Sequence, residues 1–123
     1  MIQFAHEEGI LVAGICTGMR VLAFADILEN VSVAYNIHSS DWLSTAGADM
    51  TGYPVFSDQG IITGGFGGGT GYGPDYAPNE EFCEQIKEDI ETANQANFIF
   101  GVFLVSLILV AYISVVKTSK KTI

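Results

Sequence analysis

The feature that most constrains the fold is a long uncharged stretch near the C-terminus. No Asp, Glu, Lys or Arg occurs between residues 92 and 116, and sixteen of the nineteen residues in 98–116 are apolar. A helix of that length measures about 28 Å, close to the thickness of the hydrocarbon core of a bilayer. A chain of 123 residues has too little protein to bury such a helix on every side. We therefore predict a transmembrane helix over 98–116.

A second apolar stretch covers residues 10–28, where fourteen of nineteen positions are apolar. Gly14 and Gly18 have the spacing that lets two membrane helices approach closely. Arg20 lies near the centre, where insertion of an arginine costs about 2.5–3.5 kcal/mol. Two interpretations stay open: a second transmembrane helix with Arg20 facing a protein partner, or an amphipathic helix at the membrane interface.

The segment between these stretches, residues 29–79, is acidic and varied in composition. Val31, Val33, Tyr35 and Ile37 alternate with other residues, which is the period of a half-buried strand. Residues 60–73 contain eight glycines in fourteen positions, without the spacing of a phosphate-binding loop. We interpret these glycines as allowing close backbone contact with neighbouring chains, and a flexible linker is the alternative.

An acidic amphipathic helix is predicted over 80–97. Asn79 is a suitable N-cap, and Phe82, Ile86 and Ile90 recur at four-residue steps to form an apolar stripe. No Gly or Pro occurs in residues 79–100, so one uninterrupted helix is expected from residue 80 to residue 116.

The predicted fold class is a mainly α membrane protein, with a C-terminal transmembrane helix, a second N-terminal one and an irregular Gly-rich loop between them. The predicted segments are an N-terminal tail (1–9), a transmembrane or interfacial helix (10–28), an irregular acidic and Gly-rich exterior segment (29–79), an acidic amphipathic helix (80–97), a transmembrane helix (98–116) and a basic tail (117–123).

The charge distribution suggests a topology and excludes one class of partner. Fourteen acidic and five basic residues give a formal net charge of -9, so nucleic acid is not expected to bind. The last seven residues contain Lys117, Lys120 and Lys121, which by the positive-inside rule place the C-terminus on the cytoplasmic, matrix or stromal side.

The sequence shows no recognised arrangement for catalysis. Cys16 and Cys83 are the only cysteines, too few for a metal site and lying in dissimilar segments. No G-x-S-x-G motif marks a nucleophile elbow. His6 and His38 stand outside both apolar stretches and are interpreted as ordinary surface or capping histidines, with ligation of a haem or chlorin at a membrane interface as the alternative. We predict no enzymatic activity, no catalytic or metal-binding residue and no cofactor, while a bound lipid or pigment is left open.

The predicted function is that of a non-catalytic accessory subunit in a multi-subunit membrane complex, with a respiratory or photosynthetic membrane as its location. Its predicted partners are other membrane subunits and the bilayer, and no small-molecule substrate is expected. The alternatives are a structural protein of a virus or particle and a holin-like permeabilising protein. Partner or helix-packing contacts are predicted for Gly14, Gly18, Arg20, Trp42, Phe66, Tyr72, Tyr76, Phe82, Ile86 and Ile90.

Overall fold

The computed structural model describes residues 1–67, 73 and 75–121, with the side chains of residues 120 and 121 excluded. Tyr72, part of the Gly-rich segment and the end of the basic tail therefore lie outside the described residues. Within the described residues the elements are α1 (Ile2–Glu7), β1 (Val12–Ile15), α2 (Gly18–Phe24), β2 (Ser32–Val33), α3 (Ser40–Thr45), β3 (Asp49–Met50), β4 (Val55–Asp58), β5 (Ile61–Gly64) and α4 (Asn79–Lys121).

The chain divides into two compact units, Met1–Glu88 and Asp89–Ile123. The first unit contains every described strand, the three short helices and the beginning of α4. The second consists of the rest of α4 and the C-terminal residues. The candidate site described below belongs entirely to the first unit.

A three-stranded sheet in the order β1-β5-β4 organises the first unit. β1 and β5 are parallel, with Val12 opposite Ile61 and Ile15 opposite Gly64. β4 and β5 are antiparallel and joined by a two-residue turn. Both turn residues, Gln59 and Gly60, have positive φ, as a type I′ hairpin turn requires.

The core lies between this sheet, a second small sheet and the short helices. β2 and β3 pair in parallel, and Val33 of β2 is fully buried. Nine buried apolar side chains form one cluster: Met19, Leu22, Ile27, Leu28, Val31, Val33, Ala34, Leu43 and Ile61. Buried polar side chains of Asn36, Ser39 and Thr63 adjoin it, and each has a hydrogen-bond partner.

The predicted helix over residues 10–28 is wrong. This stretch is strand β1, a sharp turn at Cys16 and the seven-residue helix α2. Cys16 has a φ of 51°, which no continuous right-handed helix contains. A short buried strand followed by a short helix has the same apolar content as one long helix, so composition alone did not separate them.

The expected irregular loop between two membrane helices is also wrong. Residues 29–79 include β2, α3, β3, β4 and β5, and β5 is buried along its whole length. Val31 and Val33 are buried, as their alternation indicates, but Ile37 is 51% exposed and the strand ends at Val33. The described residues therefore form an α/β arrangement rather than a mainly α membrane fold.

α4 runs without interruption from Asn79 to Lys121, as one helix. In the described part of the chain it is the one helix long and apolar enough to cross a membrane. This criterion rests on length and composition alone, and it is weak evidence when a single helix meets it.

Candidate functional site

Cys16 occupies a sharp turn between a strand and a helix. It follows β1 directly, and α2 begins two residues later at Gly18. Its φ of 51° lies in the left-handed region, which residues other than Gly, Asn and Asp seldom adopt. Such strain costs about 1–3 kcal/mol and is found most often at functional sites. The same geometry holds the nucleophile in a nucleophile elbow.

Backbone and side-chain hydrogen bonds hold this turn in place. The Cys16 amide donates to the Gly64 carbonyl oxygen at 2.8 Å, which extends the β1–β5 ladder by one residue. The Cys16 carbonyl oxygen accepts from Asn36 Nδ2 at 2.8 Å and from the Met19 amide at 3.2 Å. The strained residue is therefore fixed on both sides of its Cα.

Asn36 connects the turn to a neighbouring segment. Its side chain is fully buried, and its Oδ1 accepts the His38 amide at 3.1 Å. Residues 36–39 therefore border the elbow, at the carboxyl ends of the parallel strands β1 and β5. In open α/β sheets, ligands bind outside the carboxyl ends of the strands.

Arg20 links helix α2 to the segment of residues 36–39. It lies in the first turn of α2, where its amide donates to the Thr17 carbonyl oxygen at 3.1 Å. Its Nε donates to Ser39 Oγ at 3.1 Å, and its Nη2 donates to the His38 carbonyl oxygen. The guanidinium carbon also lies 6.0 Å from the centre of the Trp42 ring. Half-buried Arg20 thus has its charge held beside the elbow.

Aromatic rings flank this cluster on two sides. Trp42 packs on Phe24 with ring centres 4.9 Å apart, and His38 packs on Phe66 with ring centres 5.0 Å apart. The sequence predicts that Trp42 and Phe66 make contacts with partner chains. The structure places both within the first unit near the elbow, and Trp42 stays 44% exposed.

The two glycines predicted to pack membrane helices lie on either side of Cys16. Gly14 is buried in β1, and a Cβ there would come within 2.8 Å of Leu22 Cδ1 and 3.1 Å of the Gly18 carbonyl. A Cβ on Gly18 would meet nothing within 4 Å. Gly14 therefore has a packing function inside the unit, where it lets α2 fold back over β1.

The predicted apolar stripe of α4 is divided between the two units. Phe82 is buried at 8% exposure in the first unit, and a Cβ on Gly64 would come within 2.7 Å of its ring. Ile86 is half-buried. Ile90 belongs to the second unit and is 45% exposed.

Tyr76 makes one contact that affects an ionisable group. Its hydroxyl donates to Glu81 Oε1. This hydrogen bond lowers the pKa of the Glu81 carboxyl below its ordinary value, and the backbone amide of Glu81 adds to the effect. Tyr72, the remaining predicted contact residue, lies outside the described residues.

The thiols and other potential ligands form no shared centre in the part of the chain that the structure describes. Cys16 is half-buried and Cys83 is exposed, and both are free thiols. No three His, Cys, Asp or Glu side chains among the described residues come together as a metal site would require.

Two residues that matter most here were missed from the sequence. The segment Gly14-Ile-Cys-Thr-Gly18 has the form G-x-C-x-G, a nucleophile-elbow pattern with Cys in place of Ser, whereas from the sequence its two glycines are interpreted only as helix-packing residues. No sequence pattern around Asn36 indicates its role, because only the folded chain shows that its side-chain amide is buried against Cys16.

Fold and site together define an α/β protein with a cysteine at a nucleophile elbow. A family model described as the DJ-1/PfpI family matches residues 1–89. The chain therefore belongs to the DJ-1/PfpI family.

Two solved structures are similar to this chain. One is a two-domain protein from Anabaena variabilis containing DJ-1/ThiJ/PfpI-like and ferritin-like domains, with 34% identity and a TM-score of 0.50 over 53% of this chain. The other is a ThiJ/PfpI domain protein from Brachyspira murdochii, with a TM-score of 0.55 over 67% of this chain. At 22% identity the second likeness shows the fold alone.

The chain spans 19% of the length of the Anabaena protein and 42% of the length of the Brachyspira protein. A comparison with curated proteins found no match. The family includes proteases and peptidases as well as chaperone-like members, so membership alone does not make the chain an enzyme.

Family membership corrects the functional interpretation of the sequence. DJ-1/PfpI proteins have a soluble, flavodoxin-like α/β fold and are typically cytoplasmic. The predictions of an accessory subunit in an energy-converting membrane, of membrane-protein and bilayer partners, and of a viral or holin-like protein are therefore wrong. These predictions depended on assigning two apolar segments to membrane helices, and one of those segments is the β1–α2 unit that carries Cys16.

Proposed function

We propose that Cys16 is a reactive thiol that captures electrophilic carbon compounds by forming a covalent bond. The observation that carries this proposal is the left-handed backbone of Cys16 at the end of β1, held by Gly64 on one side and Asn36 on the other. A turn of this kind projects the nucleophile away from the sheet, where a ligand can reach it.

The chemistry requires a nucleophile and a donor for the developing charge. The thiol releases its proton to solvent. For an electrophile with a carbonyl group, the sulfur then adds to its carbonyl carbon as the π electron pair moves to the carbonyl oxygen. The amide of the residue after the nucleophile commonly stabilises that oxygen. Here that residue is Thr17, and its amide donates to no acceptor among the described residues.

The covalent step uses no general base from the described part of the chain. Within the described residues no hydrogen bond involves the Cys16 thiol, so no general base is in place in this structure. We accordingly propose a thiol that binds covalently, and we assign no catalytic turnover to this chain.

Alkylation kinetics test the proposal, with Cys83 as an internal reference. The rate constant for iodoacetamide would be measured at Cys16 in Cys83→Ser and at Cys83 in Cys16→Ser. Since Cys16 is half-buried and Cys83 is exposed, accessibility alone predicts that Cys83 reacts faster. We expect Cys16 to react faster by about tenfold, because the elbow projects its sulfur away from the sheet toward the reagent. A slower reaction at Cys16 would contradict the proposal.

A further inference from the structure

Arg20 is exceptional in the charge distribution of the first unit. It is the only Lys or Arg among residues 1–86, whereas eleven of the fourteen acidic residues lie in the same range. Despite this excess of carboxylates, no ion pair of Arg20 is seen in the described part of the chain. Arg20 is therefore the one Lys or Arg of residues 1–86, and no carboxylate among the described residues neutralises its charge.

The hydrogen bonds of Arg20 orient its guanidinium without using all its donors. A guanidinium carries five N–H groups. One on Nε donates to Ser39 Oγ and one on Nη2 donates to the His38 carbonyl oxygen, both of which are uncharged acceptors. The remaining N–H groups have no acceptor among the described residues. Such a pre-oriented fork is suited to bind a carboxylate through two parallel hydrogen bonds.

Arg20 is also close to Cys16 by two routes through the structure. Along the chain, it lies in the first turn after the elbow. Across the fold, its guanidinium contacts residues 38 and 39, whose segment is joined to the Cys16 carbonyl by Asn36. Arg20 is therefore the cation whose contacts lead back to Cys16, and it is the only Lys or Arg of residues 1–86.

We infer that Arg20 determines the specificity of this site by binding a carboxylate on the electrophile that Cys16 captures. The inference rests on the proposed function of Cys16. It names the substrate class as small monoanionic electrophiles, because one cation balances one negative charge. A dianionic phosphate would leave a charge unbalanced in a unit that is already strongly acidic.

A pair of reagents that differ in one charge tests this inference on the full chain carrying Cys83→Ser. Iodoacetate and iodoacetamide react alike, because the sulfur forms a bond to the CH₂ carbon and iodide leaves, but only iodoacetate has a carboxylate. The measured quantity is the ratio of the iodoacetate rate constant to the iodoacetamide rate constant at Cys16. Arg20→Gln keeps a hydrogen-bond donor and removes the charge, and we expect it to lower this ratio about threefold to tenfold.

The response to salt tests the same inference without any change at Arg20. A net charge of -9 repels iodoacetate, so if the whole-chain field dominates, added NaCl raises the ratio by screening that repulsion. If Arg20 attracts the carboxylate locally, NaCl lowers the ratio. We expect the ratio to fall as the NaCl concentration is raised from about 0.05 M to about 0.5 M, because the screening of charge interactions increases strongly over that range.

The outcomes separate this inference from the proposed function. If iodoacetamide modifies Cys16 in Cys83→Ser no faster than it modifies Cys83 in Cys16→Ser, the reactive-thiol proposal fails. If Cys16 is reactive but Arg20→Gln leaves the ratio unchanged, or lowers both rate constants equally, Arg20 only braces the turn and the inference is overturned. Should Arg20→Gln fail to fold, a ratio that rises with NaCl overturns it as well.

Discussion

Replacing Gly65 with alanine should be among the most damaging small substitutions in the first unit. Gly65 is buried directly after β5. A Cβ there would overlap the carbonyl oxygen of Tyr35 and lie 2.6 Å from its carbonyl carbon. Ordinary carbon–carbon contacts are about 3.5–4.0 Å, so clearing the carbonyl carbon alone needs a separation of about 1 Å, and clearing the oxygen needs more. Both partners are backbone, and no side-chain rotation can relieve the contact.

The expected cost follows from what lies on either side of this contact. The Ile37 amide donates to the Phe66 carbonyl oxygen at 3.0 Å, and the Gly65 amide donates to the Pro54 carbonyl oxygen at 2.8 Å. Overpacking costs about 1–3 kcal/mol, and a buried group that loses its hydrogen bond costs about 1–3 kcal/mol more. We therefore expect Gly65→Ala to lower the free energy of unfolding by about 3–5 kcal/mol.

Urea unfolding followed by tryptophan fluorescence measures this effect. Trp42 is the only tryptophan, and it lies in the first unit. Gly18→Ala is the matched control, because its Cβ would meet nothing within 4 Å and Gly18 is helical. We expect that control to be neutral or more stable by up to about 1 kcal/mol. A Gly65→Ala variant within about 0.5 kcal/mol of the parent would refute the close approach.

Two further predictions concern the elbow and the start of α4. Asn36→Leu removes the hydrogen bond to the Cys16 carbonyl oxygen, so we expect iodoacetamide alkylation of Cys16 to slow about threefold to tenfold, and an unchanged rate would mean that Asn36 does not position the thiol. The hydrogen bond from Tyr76 lowers the pKa of Glu81 in the folded state below the ordinary value of 4.5, so its contribution to stability is fully present above pH 4.5 and is lost as the pH falls through the lowered pKa. Unfolding at pH 7 and pH 3 should show Glu81→Gln less stable than the parent by under about 1 kcal/mol at pH 7 and a smaller difference at pH 3, whereas a constant difference would argue against this contact.

The parts of the fold that were predictable are those with a strong local pattern. Helix α4 follows from an acidic start, a four-residue apolar spacing and the lack of Gly or Pro in residues 79–100. The burial of Val31 and Val33 follows from alternation. Each of these signals is carried by residues close together in sequence.

The sheet could not be predicted in the same way, because its pairing is non-local. β1 pairs with β5, so that Val12 lies opposite Ile61 almost fifty positions along the chain. Each strand has only four residues, too few to show a clear period. The apolar content of β1 and α2 was therefore assigned to one helix, although the positive φ of Cys16 separates them.

The glycines show why composition led to the wrong function and how the fold uses them. Eight glycines between residues 60 and 73 resemble a linker, and Gly14 with Gly18 resembles a membrane-packing motif. In the structure Gly14, Gly64 and Gly65 lie at the carboxyl ends of β1 and β5, where any Cβ would collide with Leu22, Phe82 or the Tyr35 backbone.

Because these glycines have no side chains, the neighbouring segments can approach Cys16 closely. The Gly64 carbonyl oxygen accepts a hydrogen bond from the Cys16 amide, and Gly65 permits close contact with the Tyr35 backbone. Asn36, which follows Tyr35 in the chain, donates a hydrogen bond to the Cys16 carbonyl oxygen. Larger residues would push these segments apart and release the strained turn. The glycines therefore help to position Cys16. Because most contacts that hold this residue involve backbone atoms, the side-chain pattern of the sequence gives little indication of the site.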